Sequence, residues 1–236
     1  MDFSIIADSF GLYIQGLKTT LQLVFISLAI GLSMAVPLAV FRTSKNRLIS
    51  GPVRAYVYFF RGTPLLVQMF IIYYGLGQFE IVRTSFLWVF LKEAYVCALL
   101  AFTLNTAAYT TEIIRGGIAG TPIGEIEAAK SVGMSRGLMF RRIILPGAFR
   151  RALPAYSNEV IFMLHGSSLA SVITIIDITG AARIVNSRYY SPYEAFLTAA
   201  VFYMAITFTL VWLFKKLEHR WYAHLRPQEH SAAAAA

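Results

Sequence analysis

Residues 121–146 read TPIGEIEAAKSVGMSRGLMFRRIILP. This segment is polar and basic, yet charge-free apolar runs flank it at 94–111 and 160–176. Such alternation places the runs in an apolar solvent and the segment between them in water. Thr121 as N-cap and Pro122 at the first helical position predict a helix start. Glu125 and Glu127 fall in the early turns, where the helix dipole favours acids. Gly133 suits a C-terminal cap, and Ser135 caps a second short helix that runs into Ile143-Ile144-Leu145 and stops near Pro146. Ala128 and Ala129 leave one surface flat enough for close approach of another protein. From these residues alone two roles stand: a docking surface, or a basic amphipathic loop on anionic lipid.

The rest of the chain agrees on the solvent. Of its 236 residues, 57% are hydrophobic and 14% charged, against about 25% charged in a soluble domain. Further charge-free runs lie at 19–41, 62–79 and 195–214. A spanning helix needs about 20 apolar residues. The expectation is an all-α membrane protein with five transmembrane helices near 15–41, 56–79, 94–114, 153–176 and 193–214. These form one domain over 1–231, with a polar loop over about 115–151. The run 232–236 reads as a tag scar or a disordered end. Asp2 and Asp8 ahead of the first run, in place of a basic region, argue against a cleaved signal peptide.

Loop charges orient the bundle. Arg42, Lys45, Arg47 and Arg54 follow the first run, and Arg115 to Arg151 crowd the third loop. The tail carries Lys215, Lys216, Arg220 and Arg226. The positive-inside rule puts these in the cytoplasm and the N-terminus outside. The net charge of +9 clusters at the ends of apolar runs, so it marks loops and not nucleic-acid binding. The single cysteine, Cys97, cannot form an internal disulfide. The apolar stretch 179–192 suits a short interfacial helix on the outer face.

Three further segments hold polar groups at membrane depth. Arg61-Gly62-Thr63-Pro64, followed by Gln68, reads as a capped helix start with a snorkelling arginine. Asn105, Tyr109 and Glu112 fall on one helix face; Arg115 can pair with Glu112, while Asn105 lies deeper and is a pathway candidate. In 158–169, NEVIFMLHGSSL, Glu159 and His165 are ionisable groups inside a predicted span. A six-residue step turns a regular helix by about 240°, so they share a face only if the helix loosens. Gly166-Ser167-Ser168 is the place for that, since serines can bond freed carbonyls. Glu159, His165, Ser167, Ser168, Asn105 and Gln68 are thus the candidate substrate-binding residues. The structural alternative is a neutral, hydrogen-bonded His165 and a Glu159 that is protonated or paired with a nearby arginine.

The spacing Glu127-Ala128-Ala129, three residues, Gly133, nine residues, Ile143, one residue, Leu145-Pro146 resembles the EAA loop of bacterial ABC-importer permeases. RGTP with Val67-Gln68 resembles the signature of their polar amino-acid branch. YSNEVIFMLHGSSLAS and ITGAARIVNS are similar to M-type permease subunits of basic amino-acid and opine importers, such as the histidine/lysine/arginine/ornithine, arginine/ornithine and octopine/nopaline systems. The wider branch has Lys-Asp where this chain has His165-Gly166, which removes one fixed charge of each sign, while Glu159 is retained.

The resemblance implies a type I ABC-importer (MetI-like) permease fold in the bacterial inner membrane. It implies import of polar, cationic amino acids or opines, with Glu125, Glu127, Ala128, Ala129 and Gly133 coupling to an ATPase. The implied partners are a Q-type permease subunit in a heterodimer, two copies of an ATP-binding subunit and a periplasmic substrate-binding protein. No cofactor is expected in this chain: ATP and Mg would sit in the ATPase, and no GxxxxGK[S/T] phosphate loop is present. The alternative is an autonomous proton-coupled secondary transporter or channel, which leaves the helix-turn-helix loop unexplained. A serine hydrolase is disfavoured, because Ser167 or Ser168 sits too near His165 on one helix to reach hydrogen-bonding geometry.

Overall fold

The computed structural model describes residues 4–221, which leaves the reading of 232–236 outside the described residues. The described chain is helical throughout. In order come α1 (Ser4–Arg42), α2 (Arg47–Gly62), α3 (Leu65–Phe70), the short α4 (Glu80–Thr84) and α5 (Trp88–Leu91), and α6 (Ala94–Ala119). Then follow α7 (Ile123–Ser131), α8 (Arg136–Met139), α9 (Leu145–Gly166), α10 (Ile178–Tyr189) and α11 (Pro192–Trp221). Among the described residues three helices are long and apolar enough to cross a membrane, or five if each of two bent pairs is one span.

Burial separates the centre from the rim. In α6, 67% of the most apolar window is buried, against 11% in α11. So α6 is the axis of the bundle, and α11 presents Val201, Met204 and Phe208 outward. Close packing around α6 depends on small residues: Ala98, Ala101, Ala107 and Ala108 are wholly buried. A Cβ on Gly31 of α1 would stand 2.5 Å from the Thr106 methyl. Without a hydrophobic drive between helices in lipid, this close approach supplies the dispersion that holds them.

The expected span at 56–79 is not one rod. Residues Arg47–Gly62 and Leu65–Gln78 meet at 105°. Pro64 forces the preceding residue out of the helical region. Thr63 is extended (φ −118°, ψ 144°), and Pro64 has ψ 136°. Two successive extended residues turn the chain. The apolar run reads straight through this corner because composition reports solvent, not direction. The first span also starts earlier than expected, at Ser4.

The 115–151 loop is shorter than its sequence bounds. Helix α6 persists to Ala119, and α9 starts at Leu145. Nor does the second loop helix stop at Pro146. It passes from α8 through a widened π-type turn at Phe140–Ile144 into α9. In a regular turn the Pro146 ring would strike the carbonyl four residues back, and the widened turn relieves that clash. The α-helix ends where the sequence placed a break, but it tightens instead of loosening: Ser167–Ile173 is a 3-10 continuation of α9. Ser167 donates to the Leu164 carbonyl at 2.6 Å and Ser168 to that of His165 at 2.7 Å.

At that far end, α10 occupies the stretch expected to be a short helix. Asp177 caps it, accepting from the Gly180 amide at 2.7 Å and from the Tyr203 hydroxyl at 3.1 Å. Gly16 lets α1 pass against this cap, since a Cβ there would lie 2.6 Å from the Asp177 carbonyl oxygen.

Candidate functional site

The corner at Thr63-Pro64 opens a cleft of about 570 Å³ between α3, α6 and α9. Its polar groups are Thr63, Asn105, Tyr109, Asn158 and Glu159, set among apolar side chains such as Phe162 and Met163. That size and lining suit a small polar ligand.

Glu159 is 7% exposed and accepts a 2.8 Å hydrogen bond from the Thr106 hydroxyl on α6. The ion pairs among the described residues lie elsewhere: Glu112 meets Arg42 at 3.0 Å and Arg115 at 2.6 Å. Glu159 has no cation at ion-pair distance among the described residues; the arginine that acts on it electrostatically is Arg61, from beyond that distance. A carboxylate is costly at such a position unless it faces a cavity or a partner, and here it faces the cleft. Glu112 follows its structural alternative and joins the ends of α1 and α6.

Gln68 is buried, and it is not in the cleft wall. Its amide nitrogen donates to the Phe60 carbonyl (2.8 Å), the Thr63 carbonyl (3.0 Å) and the Thr63 hydroxyl (2.8 Å). Its amide oxygen accepts from Asn105 at 3.0 Å. Gln68 thus locks the corner and orients Asn105, which does line the cleft. Arg61 does not simply snorkel; its guanidinium lies 5.1 Å from the Tyr109 ring centre, at the edge of the same cleft.

The other candidates fall away from the cleft. His165 pairs with Thr207 of α11 at 3.1 Å, on an exposed face. Ser167 is buried and Ser168 partly so, both bonded to the helix's own carbonyls. The 3-10 segment begins beyond both ionisable groups, so it cannot swing His165 towards Glu159. Thr106 was not singled out by sequence, because a hydroxyl in an apolar helix ordinarily bonds its own preceding turn. Thr111 does that, with the Ala107 carbonyl at 2.6 Å. Asn158 and Tyr109 stood in the quoted stretches without a role assigned.

The loop end holds the second site. Gly133 has φ +75°, its amide donates to the Lys130 carbonyl and Met134 to the Ala129 carbonyl, both at 3.0 Å. This is the left-handed helix stop that its sequence position suggested. Ser135 caps α8 through the Leu138 amide. Glu125, Glu127 and Ala128 are exposed, with Ile123 and Val132 beside them, whereas Ala129 is buried and serves packing. Thr121 does not cap α7. Its hydroxyl donates to the Ile118 carbonyl at 2.8 Å and accepts from Arg151 at 2.7 Å. Arg151 also donates to the Gly117 carbonyl at 2.9 Å. These bonds clamp the loop's root between α6 and the base of α9.

Residues 27–222 match the family described as binding-protein-dependent transport system inner membrane component. The chain belongs to this family. This inner membrane component is 52% identical over 211 residues to the nopaline transport system permease protein of Agrobacterium fabrum, covering 89% of the chain and 88% of that relative. It is 47% identical over 218 residues to the histidine/lysine/arginine/ornithine transport system permease protein of Escherichia coli, covering 92% of each. A solved amino acid ABC transporter with histidines aligns with TM-score 0.84 and 35% identity, covering 93% of this chain and 99% of that one. The methionine transporter MetNI in an inward-facing form shares the fold, with TM-score 0.70 at 17% identity over 90% of this chain and 97% of that one. The inner membrane component is thus a non-catalytic permease subunit. Among its described residues no cluster of His, Cys, Asp or Glu could hold a metal.

Proposed function

We propose that this permease subunit passes cationic amino acids or opines through the cleft that Glu159 faces, and that the α7–α8 loop couples this path to ATP hydrolysis in a partner. The observation that carries the reading is a buried carboxylate, with no described cation at ion-pair distance, on the wall of a cleft sized for an amino acid. Opposite charges attract strongly in a low-dielectric site. The relatives named for nopaline and for histidine, lysine, arginine and ornithine transport support a basic cargo. Asn105 and Asn158 offer hydrogen bonds beside the charge, and Gln68 acts by positioning Asn105.

In this reading one permease domain extends over 1–231 with five spans: α1, the bent pair of α2 with the helix from Leu65 to Gln78, α6, α9 with its 3-10 continuation, and α11. The N-terminus lies outside and the C-terminus in the cytoplasm. A Q-type permease subunit covers the open side of the cleft, where Phe162 is 71% exposed. Two ATP-binding subunits lie beneath α7 and α8, and a periplasmic binding protein delivers the cargo.

The cargo is tested with the purified complete complex in nanodiscs, by ATPase stimulation across arginine, ornithine, lysine, histidine and glutamine. Cationic members are expected to stimulate and glutamine to fail. Equal stimulation by glutamine overturns the cationic reading. Orientation is tested separately with single cysteines in whole cells. Ser4→Cys is expected to react with an impermeant maleimide, and Lys216→Cys only after permeabilisation. Cys97 is fully buried and gives little background. The reverse labelling pattern inverts the topology.

A further inference from the structure

Two clefts lie along α9 and α11, away from the substrate path. The first, about 600 Å³, sits at the loop end. Leu145, Pro146 and Phe149 give it apolar walls, and Arg150, Arg220 and Trp221 complete it. The second, about 380 Å³, is lined almost wholly by apolar groups, among them Leu32 of α1, Tyr156 and Val160 of α9, and Leu213 and Leu217 of α11. Along α9, Phe149 and Tyr156 are two turns apart, about 10.5 Å. Along α11, Leu217 precedes Arg220 by a single turn. The two clefts share no lining residue but follow one another along the same two helices, cationic at the loop end and apolar farther along.

We infer that the two clefts form one groove that binds one anionic phospholipid, its phosphate between Arg150 and Arg220 and an acyl chain along Val160 and Leu213. The rim has the features of a membrane–water boundary. The Lys216 ammonium sits 5.2 Å from the Trp212 ring centre, and Trp221 stands one residue beyond Arg220. Tryptophan collects at that boundary, and guanidinium groups match phosphate oxygens in paired hydrogen bonds. A free anion would leave the apolar stretch unused, and a cationic cargo would be repelled by two arginines. The inference rests on the chain being a membrane component and not on the choice of cargo. Leu145 and Pro146 close the EAA pattern, so the lipid would join the root of the coupling loop to the C-terminal helix and support coupling.

The test is native mass spectrometry of the purified complete complex after equilibration with phosphatidylglycerol or phosphatidylcholine vesicles, with ATPase rates alongside. Phosphatidylglycerol is expected to stay bound and phosphatidylcholine to wash away. Arg150→Gln with Arg220→Gln is expected to weaken retention about thirty-fold, following the usual attraction of each arginine to an anionic membrane surface. Ala29→Phe, which fills the acyl stretch and leaves the arginines intact, is expected to weaken it as well. Ala29 lines that stretch and is exposed, so the larger ring does not disturb the core. Equal retention of the two lipids, or of phosphatidylglycerol by wild type and both variants, overturns the proposal. Displacement of the lipid by glycerol phosphate with no effect of Ala29→Phe would assign a free-anion site and overturn it too. Loss of the ATPase subunits at unchanged lipid retention would make the groove a protein interface, which likewise overturns lipid binding there.

Discussion

Glu159→Gln raises the arginine concentration needed to stimulate the ATPase of the assembled transporter by at least about thirty-fold, if the cleft carries the cargo. That factor corresponds to the low end of the cost of deleting one partner from a buried, hydrogen-bonded charge pair. Glutamine has nearly the same shape as glutamate, and its amide oxygen can still accept from the Thr106 hydroxyl, now 2.8 Å from the carboxylate. The variant should therefore fold and assemble, so that the loss reports charge alone. Glu159→Asp keeps the charge but withdraws it by one methylene, and an intermediate loss is expected. Thr106→Val leaves the charge and removes the bond that aims it, with a smaller effect. Unchanged stimulation in a correctly assembled Glu159→Gln complex would remove Glu159 from the substrate path.

The second large effect is expected where α6 crosses the base of α9. A Cβ on Gly117 would stand 2.5 Å from the Ala148 carbonyl oxygen and 3.2 Å from its Cα. Backbone atoms cannot rotate aside, so any side chain must force the helices apart. Overpacking of this kind costs about 1–3 kcal/mol for a small group, and more for a branched one. Gly117→Val is expected to lower the melting temperature of the purified complex and to break the Arg151 bond to the Gly117 carbonyl. The loop would then lose its rigid root. Substrate-stimulated ATPase should fall while basal hydrolysis persists, the signature of lost coupling. Gly116→Ala is the matched control. Nothing lies within 4 Å of a Cβ there, and alanine is the better helix former by about 1 kcal/mol. An equal loss of stability in both variants would show that helix spacing at this crossing is not the cause.

The residues that sequence reading located correctly are those whose role is local. Gly133 stops α7 because a left-handed backbone suits a residue without a Cβ, whatever surrounds it. Ser135 caps the next helix by reaching three residues ahead. Glu112 and Arg115 pair because they are one turn apart. The end of the α-helical winding after Gly166 goes with serine bonds to carbonyls of the same helix. None of these needs knowledge of a neighbouring element.

The residues whose surroundings a sequence reading leaves open are those that depend on what lies opposite. His165 is ionisable and deep, as Glu159 is, but the helix turns it towards Thr207. Gln68 has the chemistry of a cargo ligand, and the corner turns it inward to bind Phe60, Thr63 and Asn105. Thr121 has the residue type of an N-cap, but Arg151 and the Ile118 carbonyl claim its hydroxyl. Pro146 reads as a helix stop, and a widened turn upstream absorbs it.

Composition and short-range chemistry set the apolar runs and the caps at Gly133 and Ser135, because each depends on residues within a turn of one another. The polar segment 121–146 likewise determined its own helix, glycine turn and second helix start. Packing between helices sets the rest: the 105° corner at Thr63-Pro64, the meeting of Glu159 with Thr106 across two helices, and the crossing of α6 and α9 at Gly117. A helix's period says which side chains share a face. It does not say which neighbour that face meets, and the cleft is made of such meetings.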